Sequence, residues 1–209
     1  MWVTEREASR IFRAEAGMCR QQSRRVLGSG LVGEPVWGGR AKLYNGERVH
    51  DLARRPRADH RELLRLRPDG LFVLRLSEAV QTLPGSWTER AELLADQADV
   101  RGLARVEVRA RIADTGPLPF VATLCGYPVF LAELCDLRPA TTGRVIAHLS
   151  APAVESRWPA ALARRRLVTS PGPRWLLLGS QPYLGSARRT RELEARLRTP
   201  AAAYGARSA

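Results

Sequence analysis

The sequence predicts an α+β protein in two parts: a small module of helices around one hairpin, then a larger domain built on an antiparallel sheet. Three observations carry this. Residues 1–55 combine helix-capping residues with apolar side chains at helical spacing and one Gly-Gly hairpin pattern. Residues 62–180 hold a series of short apolar or alternating runs punctuated by Gly- and Pro-containing turns. The stretch Arg54-Arg55-Pro56-Arg57-Ala58-Asp59 breaks the periodicity of both. The division is therefore 1–55, a linker over 56–61, a second domain over 62–180, and a charged helix with a small-residue tail over 181–209.

In the first module, Thr4-Glu5-Arg6-Glu7 is a capping box, in which Thr4 accepts from the Glu7 amide and the Glu7 carboxylate reaches back. Ala8, Ile11 and Phe12 supply the i, i+3, i+4 stripe of a short helix. A second helix spans about Met18 to Leu27, with Cys19, Ser23, Val26 and Leu27 inward and Arg20, Gln21, Arg24 and Arg25 outward. Gly28-Ser29-Gly30 stops it. Leu31–Val36 and Arg40–Tyr44 read as two strands joined at Trp37-Gly38-Gly39, where glycine permits positive φ. Asn45 caps a closing helix with Val49 and Leu52 inward.

In the second domain, Leu71–Leu76 is a strand, and Ser86-Trp87-Thr88-Glu89 is a second capping box that opens a helix running to about Ala104. Val106, Val108, Ala110 and Ile112 alternate with charged residues, the period of a half-buried strand. Phe120–Cys125, Val129–Leu134, Val145–Leu149 and Trp175–Leu178 are further strands, and Trp158–Arg166 is a short helix. Ala187–Arg198 has helical spacing, and the last residues form a tail without a core.

Composition bounds the function classes. Hydrophobic content of 44% and charge of 26% belong to a folded chain rather than a disordered one. No apolar run reaches the roughly 18–20 residues that span a bilayer, and the N-terminus has no apolar signal core, so no membrane partner and a cytoplasmic location are expected. The net charge of +13 suits nucleic acid. Lys42 is the single lysine, however, and an arginine-rich, Ala/Gly/Pro-rich composition is what GC-rich coding produces whatever the function. Distribution says more than the total: residues 1–60 carry 12 basic and 7 acidic side chains and residues 181–209 carry 6 and 2, denser in positive charge than the middle. Three widely spaced cysteines and three scattered histidines fit neither a disulfide framework nor a metal knuckle, and no cofactor is expected.

Val3-Thr4 before Glu7-Ala8, Gly30-Leu31 after the basic helix, Trp37-Gly38-Gly39, Leu43-Tyr44, and Val49 and Leu52 together resemble the excisionase and MerR-like winged helix-turn-helix family. The resemblance covers about 50 of the 209 residues. One departure is the first inter-helix connection, IFRAEAGMC, several residues longer than that family's Gly-Val turn, which leaves the register of the second helix open by a turn. The resemblance implies a partner, double-stranded DNA. Its second helix would enter the major groove, which is wide enough for an α-helix, and its hairpin would lie along the backbone or minor groove. Arg20 or Arg24 would pair with guanine, Gln21 or Gln22 with adenine, and Arg25 shares that basic helix. Arg40 and Lys42, beside the Trp37-Gly38-Gly39 tip, would approach phosphate. A homodimer is expected, because one short helix reads few base pairs.

Competing motifs are weaker. Gly28 to Gly33 fits GxGxxG, but a basic helix precedes it and Glu34-Pro35 follows, where a dinucleotide site needs a strand and then a helix. A Cys125–His148 thiolate pair has an apolar context that favours an inert thiol. Glu89, Glu92 and Asp96 read as a solvated helix face, Trp158 and Trp175 as core anchors, and Arg164-Arg165-Arg166 as a phosphate contact or solubilising surface. The leading expectation is a sequence-specific DNA-binding protein, a transcriptional regulator or excisionase-type accessory factor and not an enzyme. Its second domain would serve dimerisation, effector or partner binding. The alternatives are a protein-interaction adaptor and, third, a nucleic-acid-processing enzyme with its residues in 62–180.

Overall fold

Thr4 ends the first strand and begins the first helix in one residue. The computed structural model describes residues 1–76, 85–140, 144–169 and 172–179; the helix and tail read over 181–209 lie outside the described residues. Strand β1 (Trp2–Thr4) leads into α1 (Glu5–Ala16), and the capping box closes as expected, with the Thr4 amide donating to Glu7 Oε2 at 2.8 Å. Helix α1 absorbs most of the long connection. It runs to Ala16, and Gly17, at φ 66°, ends it with its amide on the Arg13 carbonyl. Three residues, 17–19, then suffice to reach α2 (Arg20–Gly28), which begins two residues later than the expected Met18.

The hairpin is shorter than expected. The first strand is β2 (Val36–Gly38) alone; residues 29–32 are turns, because Gly33 sits at φ 85° and Pro35 has no N–H to donate. It pairs with β3 (Ala41–Asn45), and β1, which the sequence reading missed, pairs with the other edge of β3. Asn45 Oδ1 accepts from the amides of Glu47 and Arg48 at 3.0 and 3.2 Å and caps α3 (Gly46–Ala53). Phe12, Val26, Leu27, Val49 and Leu52 form the core of this module, while Cys19, expected inward, is exposed.

The remaining elements are α4 (His60–Leu66), β4 (Leu71–Arg75), α5 (Trp87–Ala95), α6 (Gly102–Thr115), β5 (Leu118–Leu124), β6 (Tyr127–Pro139), β7 (Val145–Ser150), α7 (Trp158–Ala163) and β8 (Trp175–Leu178). The protein is α+β, with two sheets among the described residues. The larger has the order β7-β6-β5-β4-β8, and it is not purely antiparallel: β4 and β5 run parallel. The physical reason is the helical crossover between them, since α5 and α6 carry the chain back to the starting end of the sheet. Phe72, Leu74, Phe120 and Ala122 point to the side packed by α5 and α6; Leu71, Val73 and Val121 point to the opposite side with Leu63, Trp158 and Leu162. With both faces covered, β5 is buried along its whole length, which explains an apolar run broken only by Thr123.

Two expectations are corrected here. The alternating segment Val106–Ile112 is helix, not strand. Ala104, Val108 and Ile112 also repeat at i, i+4, and that stripe packs on the sheet core, while Arg111 bridges Glu107 one turn earlier at 2.8 Å. Ala, Leu, Arg and Glu favour helix when two periods compete. The helix opened at Ser86 ends at Ala95 rather than Ala104, because Ala98 and Val100 are buried in non-helical backbone.

Residues 56–58 do not hang free. The amide of Arg166 donates to the Pro56 carbonyl and the Ala58 amide donates to the Arg166 carbonyl, each at 2.8 Å, and α4 already begins at His60. The Arg166 side chain, 8% exposed, donates from Nη1 to the Ala16 carbonyl at 2.9 Å and lies 5.1 Å from the Tyr127 ring centroid. Tyr127 belongs to β6 yet is buried in the core of the N-terminal module. Arg166 is therefore a structural tie, which removes it from the reading of residues 164–166 as a phosphate contact or solubilising surface, while Arg165 pairs with Glu62 and Arg164 is exposed.

Candidate nucleic-acid interface

Helix α2 owes its position to contacts on its inner side. Ser23, Val26 and Leu27 are buried, Ser23 Oγ donates to the Cys19 carbonyl at 3.1 Å, and Cys125 Sγ approaches the Gln22 carbonyl at 3.7 Å. Cys125 occupies the turn between β5 and β6 at φ 51°, followed by Gly126 at φ 87°, the two positive-φ positions of a two-residue hairpin turn. That turn is pressed against the back of α2. The opposite face of the helix is left outward.

That outward face forms a groove of about 650 Å³ with the hairpin. Arg20, Gln21, Arg24 and Arg25 line it from α2, Lys42 and Tyr44 from β3, and Glu5 from α1. Arg25 is half-buried and the other three α2 side chains are exposed. Four cations and one carboxylate make the groove strongly positive. Glu5 pairs with Arg24 at 3.1 Å, both well exposed, and such pairs are weak enough to be exchanged for an anionic ligand. Burial first, and then the Glu5 carboxylate, push the Tyr44 phenol above its ordinary range, so it is a neutral group within the groove.

The other sequence-predicted residues lie apart from this lining. Gln22 caps the helix with its own side chain, Oε1 accepting from the Cys19 amide at 3.0 Å, and is not among the groove-lining residues. Its expected role as a base reader is thus in competition with a structural one. Trp37 is 68% exposed, directly across from Lys42 in the ladder, with Lys42 Nζ 5.5 Å from its ring centroid. A Cβ at Gly38 would come within 2.5 Å of Leu43 Cδ1, the far end of a side chain that would have to shift. Gly39, at φ 64°, makes the turn, and Arg40 stands exposed beside it, outside the groove lining.

Sequence reasoning missed a second basic surface. Arg6, Arg10 and Arg13 are exposed on α1 and, with Ser9, Cys19 and Arg20, line an adjoining groove of about 650 Å³ that also includes Glu5. The signal was present as i, i+4, i+7 spacing, hidden because α1 was read for its apolar stripe alone. Other constellations do not assemble. Gly28 ends α2 and turns follow it, so the Gly-rich spacing lacks the strand–helix setting of a dinucleotide site. His148 pairs across from Asp136 on β6, whereas Cys125 sits in the turn before Tyr127, so this couple is spread along the sheet. Burial pushes the Cys125 thiol upward, a direction opposite to nucleophile activation. Among the described residues, no three His, Cys, Asp or Glu side chains gather in metal-binding geometry and no helix is long and apolar enough to cross a membrane. Comparison with known protein families, with curated proteins and with solved structures finds no match to the chain.

Proposed function

We propose that residues 1–55 bind duplex DNA in the manner of a winged helix-turn-helix, with α2 in the major groove and the β2–β3 hairpin on the sugar-phosphate backbone. The observation that carries this reading is the single groove shared by Arg20, Gln21, Arg24 and Arg25 of α2 and Lys42 of β3. Arginine matches the acceptor edge of guanine and Gln21 the edge of adenine, while a lysine beside a glycine tip suits phosphate. The function is sequence-selective recognition by a transcriptional regulator or excisionase-type factor acting as a homodimer. The sheet domain, which braces α1 and α2 through Arg166 and Cys125, serves dimerisation, effector or partner binding.

A selection of bound duplexes from a random pool tests this, followed by affinity measurements between about 50 and 300 mM salt. Arg24→Ala should relax sequence preference, and Lys42→Ala should weaken all duplexes alike. No enrichment, or affinity independent of salt, sinks the reading. One observation favours a second reading, a protein-interaction adaptor: Trp2 and Val36 are both exposed on the outer side of the three-stranded sheet. Purification with a protein partner and an absorbance ratio free of nucleic acid would support that reading instead.

A further inference from the structure

The two basic grooves share Arg20 and Glu5 and diverge from there, one along α1 and the other along α2 toward Lys42. The first is lined by arginines at three successive turns of one helix, Arg6, Arg10 and Arg13, all exposed. Their packing role is slight, because the buried side of α1 is made by Ala8, Phe12 and Ala16. The row also cannot be explained as dipole compensation. Arg13 lies in the last turn, where a cation is favourable, but Arg6 lies in the first, where it is not. Glu7, whose carboxylate feels the charge of Arg10, is already engaged by Thr4.

Duplex geometry gives this row a partner. A helix seated in the major groove has a phosphate strand on each side of it. Lys42 supplies a cation on the hairpin side of α2, and the hairpin has no counterpart on the other side. We propose that Arg6, Arg10 and Arg13 of α1 form a second phosphate-binding row that holds the DNA strand opposite the one held by Lys42. The ligand chemistry is the phosphodiester, contacted without base selectivity, so this row sets affinity and orientation while α2 sets sequence. The inference rests on the DNA-binding reading above.

The test uses the full chain and a duplex recovered from the random pool, with neutral methylphosphonate linkages placed in one strand or the other. The wild-type chain should lose affinity with either strand neutralised. The Arg6→Ala/Arg10→Ala/Arg13→Ala variant should become insensitive to one strand, and Lys42→Ala less sensitive to the other. The slope of log affinity against log salt should fall by about 2–3 in the triple variant, at ~0.9 per phosphate contact. The triple lysine variant should restore both slope and strand sensitivity, which separates lost charge from lost folding. An unchanged slope with sensitivity to both strands overturns the proposal, as does loss of sensitivity to the same strand in both variants. If the wild-type chain enriches no duplex, the DNA-binding reading itself fails, a result distinct from either of these.

Discussion

Arg166→Leu should loosen the N-terminal module from the sheet domain, at a cost that follows from what the guanidinium touches. It donates to the Ala16 carbonyl at 2.9 Å, a group at the C-terminal end of α1, and lies 5.1 Å from the centroid of the buried Tyr127 ring. A hydrogen bond from a charged group contributes about 1.5–3 kcal/mol. A desolvated cation–π contact adds roughly 1–2 kcal/mol. Part of this is offset, because Arg166 Nε is buried with no hydrogen-bond partner among the described residues, and leucine removes that desolvation penalty. The net loss should be about 2–3 kcal/mol, which for a chain of this size lowers Tm by roughly 5–10 °C. Thermal and urea denaturation would measure it, with amide exchange reporting whether α1 and α2 are the segments released. Arg166→Lys, which keeps charge but loses the planar fork, should fall between. A variant within about 1 °C of wild type, with unchanged exchange in α1 and α2, would refute the view that this side chain ties the two parts together.

Three further outcomes are expected. Burial raises the Glu15 carboxyl, but hydrogen bonds from Arg54 and His50 outweigh it and hold it below its ordinary range. The stabilisation it lends is therefore present above about pH 4.3 and lost as pH falls through the depressed folded value. Urea titrations should show the wild-type advantage over Glu15→Gln shrinking toward pH 3; a gap constant from pH 3 to 7 would count against stabilisation by the Arg54 and His50 hydrogen bonds to Glu15. Asn45→Ala removes the acceptor for two α3 amides and should cost about 1 kcal/mol by chemical denaturation, whereas Asn45→Ser should cost less. Gly70→Ala places a Cβ 2.4 Å from the Leu178 carbonyl oxygen at φ 97° and should cost about 2 kcal/mol or more, loosening β8 from β4; a neutral result would mean this edge of the sheet yields freely.

How much was readable follows the range of the forces involved. The Thr4, Asn45 and Ser86 caps are local hydrogen bonds over two or three residues, and all three form as the sequence reading expected. Strand β4 and the burial of Trp158 were equally legible, since a continuous apolar run and a large aromatic have few places to go. Strand β1 was invisible because three residues carry no period and depend on β3 for pairing. The helix α6 was misread because its sequence satisfies two periods, and the sheet it covers selects between them. At the candidate site, the basic face of α2 and Lys42 were legible as charge at helical and hairpin spacing. The withdrawal of Gln22 into a cap and the arginine row of α1 were not.

By itself the sequence determined that residues 1–55 form helices around a glycine-tipped hairpin with a basic outer face, because capping, turn chemistry and periodicity act over a few residues. Only the tertiary structure decided that Arg20, Gln21, Arg24, Arg25 and Lys42 share one groove, and that Arg6, Arg10 and Arg13 line its neighbour. The tertiary structure also decided that Tyr127, from far along the chain, completes the core behind them, with Arg166 packed on it. These are contacts at long sequence separation. Their partners are chosen by shape and burial after the local elements exist, and no short-range pattern encodes that choice.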